Sequence, residues 1–296
     1  MTTPDVLIVR EEDPMVVLKE QKDLVARTDP GYWNARSLKV EMFILERYPD
    51  CPTFGTLGFN IAQGDTPRGR LGERRLSEGD IRFLDIANVL STGIDFTGCS
   101  FILPSQHERL SRTALKERDV LFIQSGVGSL GRSTVVTSLP GPTNVTSHID
   151  VIRPKQLSPF YVALLLMTKF GQLQIERRKS GVSGREEIPI TRLRTILIPR
   201  IVSAGGQLES VLESNYLQMS QYHQQAMDAK ENMVKAQQHD NKAAEERYHA
   251  EYEHNLTIAE AMLNDLVRQV EEIIEGTRTE IESVDRVLNE EQGSGA

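Results

Sequence analysis

Cysteine is nearly absent: Cys51 and Cys99 are the only two in 296 residues, and no metal-ligand spacing surrounds them. Two thiols cannot build a disulfide scaffold, so a hydrophobic core has to hold the fold. Long apolar runs are missing as well. The longest, residues 162–167, is far too short to cross a bilayer. No basic-then-apolar segment opens the chain; Asp5, Glu11, Glu12 and Asp13 stand there instead, and a cytoplasmic protein is expected. An Asn/Asp-Pro-Pro-aromatic tetrapeptide, needed to hold a flipped base for adenine methylation, does not occur. Nor does a phosphate-binding lysine loop. Neither methyl transfer nor ATP hydrolysis is expected, and no catalytic residue, metal or cofactor is assigned.

What is present is ordinary in bulk and uneven in distribution. Hydrophobic residues make up 39% and charged residues 26%, enough for a sizeable core in one large or two modest domains. The net charge of −8 conceals an asymmetry. Residues 60–200 hold 20 Lys+Arg against 13 Asp+Glu, whereas residues 201–296 hold 7 against 19. A basic middle with glycine-rich loops is a candidate binder of polyanions, and the acidic tail is not.

The stretch that organises the chain is residues 115–154. Gly126-x-Gly128-x-x-Gly131 follows an apolar run, Val120 to Ile123, and Asp150 lies at the distance of a ribose-binding acid. That fingerprint requires a helix to open at the third glycine. Here Gly131 is followed by Arg132-Ser133-Thr134-Val135-Val136-Thr137 and then by Pro140 and Pro142. β-Branched residues favour a strand, so the unit reads strand, glycine-rich turn, strand, with a third strand at residues 149–152. Nucleotide binding is set aside. Upstream, residues 5–9 and 15–18 predict a hairpin, and residues 34–48 predict a helix with Leu38, Met42 and Leu45 on its inner face. Asp5, Glu20 and Lys22 match a loose metal-dependent nuclease pattern. His148 has no second ligand at metal spacing and reads as structural.

Two basic, glycine-bearing loops follow. The first runs Gly64-Asp65-Thr66-Pro67-Arg68-Gly69-Arg70, with Arg74 and Arg75 behind it. A helix starting at Ser158-Pro159 and running toward Arg178 delivers the second, Arg177-Arg178-Lys179-Ser180-Gly181-Val182-Ser183-Gly184-Arg185. One or two strands at residues 188–199 close this region. The candidate polyanion contacts in and beside these loops are Thr66, Arg68, Arg70, Arg74, Arg75, Ser125, Arg132, Arg178, Lys179, Ser183 and Arg185.

The order of these segments (the Thr66-Pro67-Arg68 loop, "IRFLDIANV", "DVLFIQSGVGSLGRSTVV", "HIDVIRP", "SPFYVALLLMTKFG", "SGVSGREEI", "LRTILIPRI") resembles the target-recognition domain of Type I restriction-modification specificity subunits. The resemblance covers about residues 54–200. It implies a mixed α/β globule that reads double-stranded DNA, and a non-catalytic subunit that positions a methyltransferase and, through it, a restriction subunit in phage defence. Full-length members carry two such domains, so this chain resembles a half-length subunit.

From Gln207 to Glu275 there is neither proline nor glycine. Two apolar seams with alternating spacings of three and four predict a coiled coil. One runs through Leu208, Leu212, Asn215, Met219, Tyr222, Ala226, Ala229, Met233 and Ala236. The other runs through Tyr252, Leu256, Ala259, Leu263, Leu266, Val270 and Ile273. A hairpin folding back at His239-Asp240-Asn241 would bury the seams against each other; a straight rod of roughly 100 Å must find another chain. The expected architecture is α+β: an N-terminal hairpin and helix (1–53), a recognition domain (54–202), a coiled-coil spacer serving homodimerisation (203–290) and a disordered end (291–296). A coiled-coil adaptor with a protein-binding head and the metal-dependent nuclease are the alternatives.

Overall fold

The computed structural model describes residues 34–66, 81–182, 184–201 and 207–284 of the chain. The expected N-terminal hairpin, Asp5, Glu20 and Lys22, and residues 291–296 lie outside the described residues. The fold is mixed α and β with a long C-terminal helix pair.

Two small sheets pack face to face. The larger has the order β1 (Asn60–Gln63), β7 (Ile149–Arg153), β4 (Val120–Ile123), β5 (Ser133–Val135), antiparallel throughout. The smaller has β3 (Ser100–Ile102), β2 (Ile81–Leu84) and β6 (Thr143–Val145), with β2 and β6 parallel. Side chains alternate across a strand. In β4, Val120 and Phe122 enter the helix-side core, while Leu121 and Ile123 meet Leu84, Val145 and Val89 between the sheets. Covered on both faces, β4 is a continuous apolar run without alternation. The arginine of the "HIDVIRP" segment is structural. Arg153 donates from Nε and Nη2 to the two carboxylate oxygens of Asp119 at 2.8 Å each, and to the carbonyls of Arg112 and Ala114.

Helix α1 (Ala35–Arg47) forms where expected, with Asn34 accepting from the Arg36 amide at its start. Its inner face differs from the expectation. Ser37, Glu41 and Ile44 are buried, while Met42 and Leu45 are 44% exposed. The cause is electrostatic: Arg177 and Arg178 are themselves buried, and both donate to Glu41. The helix expected to run unbroken from residue 158 toward 178 is instead two. After α3 (Pro159–Met167), Thr168 accepts from the Gly171 amide and caps α4 (Lys169–Arg178). Pro159 begins α3 as expected, but Ser158 supplies no side-chain cap, and its hydroxyl is buried without a partner. Nearly all of α3 is buried, because the larger sheet and the C-terminal helices enclose it. The short helix α2 (Pro104–Arg109) was not anticipated. The strands expected at residues 188–199 are replaced by one helical turn, α5 (Ile190–Leu193), and isolated bridges such as Thr53 with Leu197.

The tail is a helical hairpin. Helices α6 (Gln207–Gln238) and α7 (Lys242–Glu275) are each about 50 Å long and join through a turn in which Asp240 takes φ 51°. Asn241 caps α7 by accepting from the Ala244 amide. Leu212, Met219, Ala226, Ala259, Leu266 and Val270 of the expected seams are buried within one chain. Helix α7 ends at Gly276, in the left-handed conformation, just past Ile273, the last residue of the expected seam. Ile281 and Val284 then fold back into the same core.

A second buried face joins hairpin to head. The Tyr216 hydroxyl accepts from the Val135 amide at 3.1 Å, and its ring lies 5.1 Å from that of Phe160. Burial pushes the Tyr216 hydroxyl above its usual range, against the opposing pull of its bonds to Thr134 and Val135. His223 is buried against the loop at residues 90–95, bonded to Thr92 Oγ1 at 2.9 Å and to the Ile94 carbonyl at 3.1 Å. Lys230 reaches Asp95 at 2.5 Å. A Cβ on Gly93 would stand 2.4 Å from the His223 ring. Gly93→Ala is therefore expected to lose about 1–3 kcal/mol through overpacking. His223→Ala in the same background should recover part of that loss in urea unfolding, because it removes the clash. Additive losses would place the strain elsewhere.

Candidate nucleic-acid interface

One end of the larger sheet gathers the candidate residues. There β1 and β4 run out, and β7 and β5 begin, because neighbouring strands are antiparallel. The chain leaves β1 through Gly64 and Thr66, turns from β4 to β5 through the Gly126–Gly131 loop, and enters β7 from the turn at Thr146-Ser147-His148. A fourth segment, residues 180–188, comes alongside. The Ile188 amide donates to the Gln124 carbonyl at 2.9 Å, and Glu187 bridges to both Ser125 and Ser180. Segments far apart in sequence thus share one rim.

Hydrogen bonds fix this rim from below. The Ser147 carbonyl accepts from Gln124 Nε2 at 2.8 Å and from Gln63 Nε2 at 3.2 Å. Thr66 Oγ1 and Ser147 Oγ are 3.0 Å apart, and Ser125 Oγ lies 2.8 Å from His148 Nδ1. Thr66 and Ser125, two of the expected contacts, are brought together through Ser147 and His148. His148 is exposed at the rim rather than enclosed in the core. No group of three metal-ligating side chains occurs among the described residues. Ser147, Gln63 and Gln124 escaped the sequence reading, since their importance arises only where the strand ends meet.

The cations divide by environment. Arg185 is exposed on the 180–188 segment. Lys179 is held by Glu176 at 2.8 Å and Glu186 at 3.1 Å. Arg132 donates to the Val89 carbonyl and to Ser129 Oγ, and lines a cavity of about 380 Å³ shared with Tyr252 and Glu260 of α7. Arg178 is corrected outright. It is 5% exposed, and its guanidinium serves Glu41, the Gln174 carbonyl, and the side chain and carbonyl of Thr195. A guanidinium so enclosed is an internal brace and cannot reach a phosphate. Arg68, Arg70, Arg74, Arg75 and Ser183 lie outside the described residues.

Beneath the rim, on β7 opposite Gln63 and Phe122, sits Asp150. It is fully buried, and both carboxylate oxygens lack a hydrogen-bond partner. Burial pushes its carboxyl from 3.8 up to about 7. Burial raises the thiol of half-buried Cys51 to about 12 and raises that of buried Cys99 as well, so neither is a ready nucleophile. Among the described residues no helix is long and apolar enough to cross a membrane.

No protein-family model and no curated protein matches the chain. Among solved structures it is similar to the type IIG restriction endonuclease BpuSI, at 12% identity and a TM-score of 0.47 over 84% of this chain and 35% of that one. It is also similar to the Type I restriction-modification system S subunit from M. genitalium, at 12% identity and 0.40 over 63% and 42%. The HsdS subunit from Thermoanaerobacter tengcongensis aligns at 12% identity and 0.34 over 79% and 50%. The chain thus spans half or less of the length of each.

Proposed function

We propose that this chain is a non-catalytic, sequence-reading DNA subunit of a Type I restriction-modification or related phage-defence complex, which positions a methyltransferase and through it a restriction subunit. One observation carries the reading. Four chain segments rich in hydroxyl, amide and glycine residues meet on one rim of the larger sheet, and exposed Arg185 stands on one of them. Such a rim suits duplex DNA. Short polar side chains fixed from below present donors and acceptors without loss of freedom on binding, and cations beside them set the register on phosphates.

Duplex binding and its salt dependence test the reading. Arg185→Ala is expected to weaken all sequences about equally and to reduce the slope of log K against log salt by about one. Lys179→Ala should change it less, because Glu176 and Glu186 already neutralise its charge. Absence of any measurable duplex binding by the full chain would sink the proposal. Methylation of DNA should appear only when a methyltransferase subunit is added. Homodimerisation through residues 207–290 would have to use the outer faces of the hairpin, since its seam is buried within one chain; sedimentation of the intact chain decides it.

A further inference from the structure

Two side chains on the rim contradict ordinary turn chemistry. Val127 is 79% exposed and Val182 is 70% exposed, whereas no other large apolar side chain among the described residues exceeds 44%. Isolated exposed valines need no explanation. These two differ in their placement. Tight turns favour Gly, Asn, Asp and Ser, and a β-branched residue gains nothing there. Each valine is nevertheless set among glycines held in the left-handed half of backbone space. Gly126 and Gly128 have φ 125° and 70°; Gly181 and Gly184 have φ 112° and 84°. A Cβ on Gly181 would also stand 2.3 Å from the Arg185 carbonyl, so that turn closes only with glycine.

The two turns are anchored to one residue. Ser125 and Ser180 both bridge to Glu187, and each valine lies two positions beyond its serine. Two strand spacings put the anchors about 10 Å apart, the rise of about three base pairs. Both apolar tips thus rise from neighbouring anchors on the same rim.

We infer that Val127 and Val182 are specificity-determining residues that read thymine C5-methyl groups in the major groove. This inference rests on the proposed DNA-reading role. The major groove offers one apolar mark, the thymine methyl, and small apolar side chains are its partners. Side chains that wedge apart base steps are larger or more rigid, such as Phe, Leu, Ile, Met or Pro. Valine at the tip of a glycine-flanked turn is short enough to meet a methyl without unstacking. The neighbouring Ser125, His148 and Arg185 supply polar contacts around it.

The test begins with selection of a preferred duplex by the full chain from a random-core library. Each thymine of the selected site is then replaced singly by deoxyuridine, which keeps pairing and stacking and removes only the methyl. At one or more positions the wild-type chain should lose about fourfold in affinity, the value of one buried carbon. Val127→Ala and Val182→Ala should each bind the thymine and deoxyuridine versions of one such position equally. Both substitutions lie on exposed tips and leave the core untouched. A selected site without thymine overturns the inference, as does indifference of the wild-type chain to every replacement, or sensitivity unchanged in both variants; the DNA-reading role survives all three. Failure to enrich any duplex overturns that role and the inference with it.

Discussion

Glu41→Ala is expected to destabilise the protein by about 3–5 kcal/mol, among the largest effects of any single substitution in the head. Glu41 is 9% exposed and is the acceptor for both Arg177 and Arg178, themselves 8% and 5% exposed. Its removal takes the shared carboxylate away from two enclosed guanidinium groups, and breaking a buried ion pair from one side costs far more than the intact pair returns. The isosteric Glu41→Gln preserves packing and one acceptor oxygen, so its loss should be smaller but clear. Urea unfolding measures both. If Glu41→Ala lies within about 1 kcal/mol of the parent, the arginines have found water, and the cluster does not hold α1 against α4.

Asp150→Asn is expected to stabilise the protein at pH 8 by a few kcal/mol and to change it little at pH 4. An ordinary aspartate ionises near 3.8, and burial raises the folded-state value to about 7. Below 3.8 folded and unfolded chains both hold the proton. Between 3.8 and about 7 only the folded chain holds it, so stability falls as pH rises. Above about 7 the folded protein carries a buried, unpartnered charge, at a cost of roughly 4 kcal/mol. His223 acts in the opposite direction. Burial lowers its value, so acid below 6.5 protonates the unfolded chain first and destabilises the fold. The difference between parent and variant at each pH cancels the histidine. Parallel pH profiles for the two proteins would show that Asp150 escapes its charge in another way.

Much of the fold was legible because it depends on local rules. The strands at residues 120–123, 133–135 and 149–153 follow from β-branched and apolar runs between glycine and proline turns. The glycine pattern is followed by β5 and not by a helix, as the β-branched residues behind it predict. The misses share a cause. Met42 and Leu45 belonged to the better apolar stripe of α1, yet Glu41 went inside because two distant arginines awaited it. Arg178 stood in a basic loop by sequence and in the core by structure for the same reason. The break at Thr168 needed no glycine or proline; a threonine able to cap the next helix was sufficient.

The tail divides the two kinds of information most clearly. Freedom from proline and glycine over residues 207–275, with alternating three- and four-residue apolar spacing, determined that helices form and that each has a seam. Whether the seam closes on itself was open. The turn at His239-Asp240-Asn241, with Asp240 at φ 51°, closes it within one chain. Tyr216 and His223 lie seven residues apart on a second face, outside the expected seams. Only the tertiary structure decided that they meet the head, because burial of a second helix face depends on what the rest of the chain places against it. The rim follows the same logic. Sequence determined that Thr66, Ser125 and Arg185 sit in glycine-rich loops, which must lie at the surface. Their meeting there was decided by antiparallel pairing, which brings the end of one strand beside the start of its neighbour whatever the distance between them along the chain.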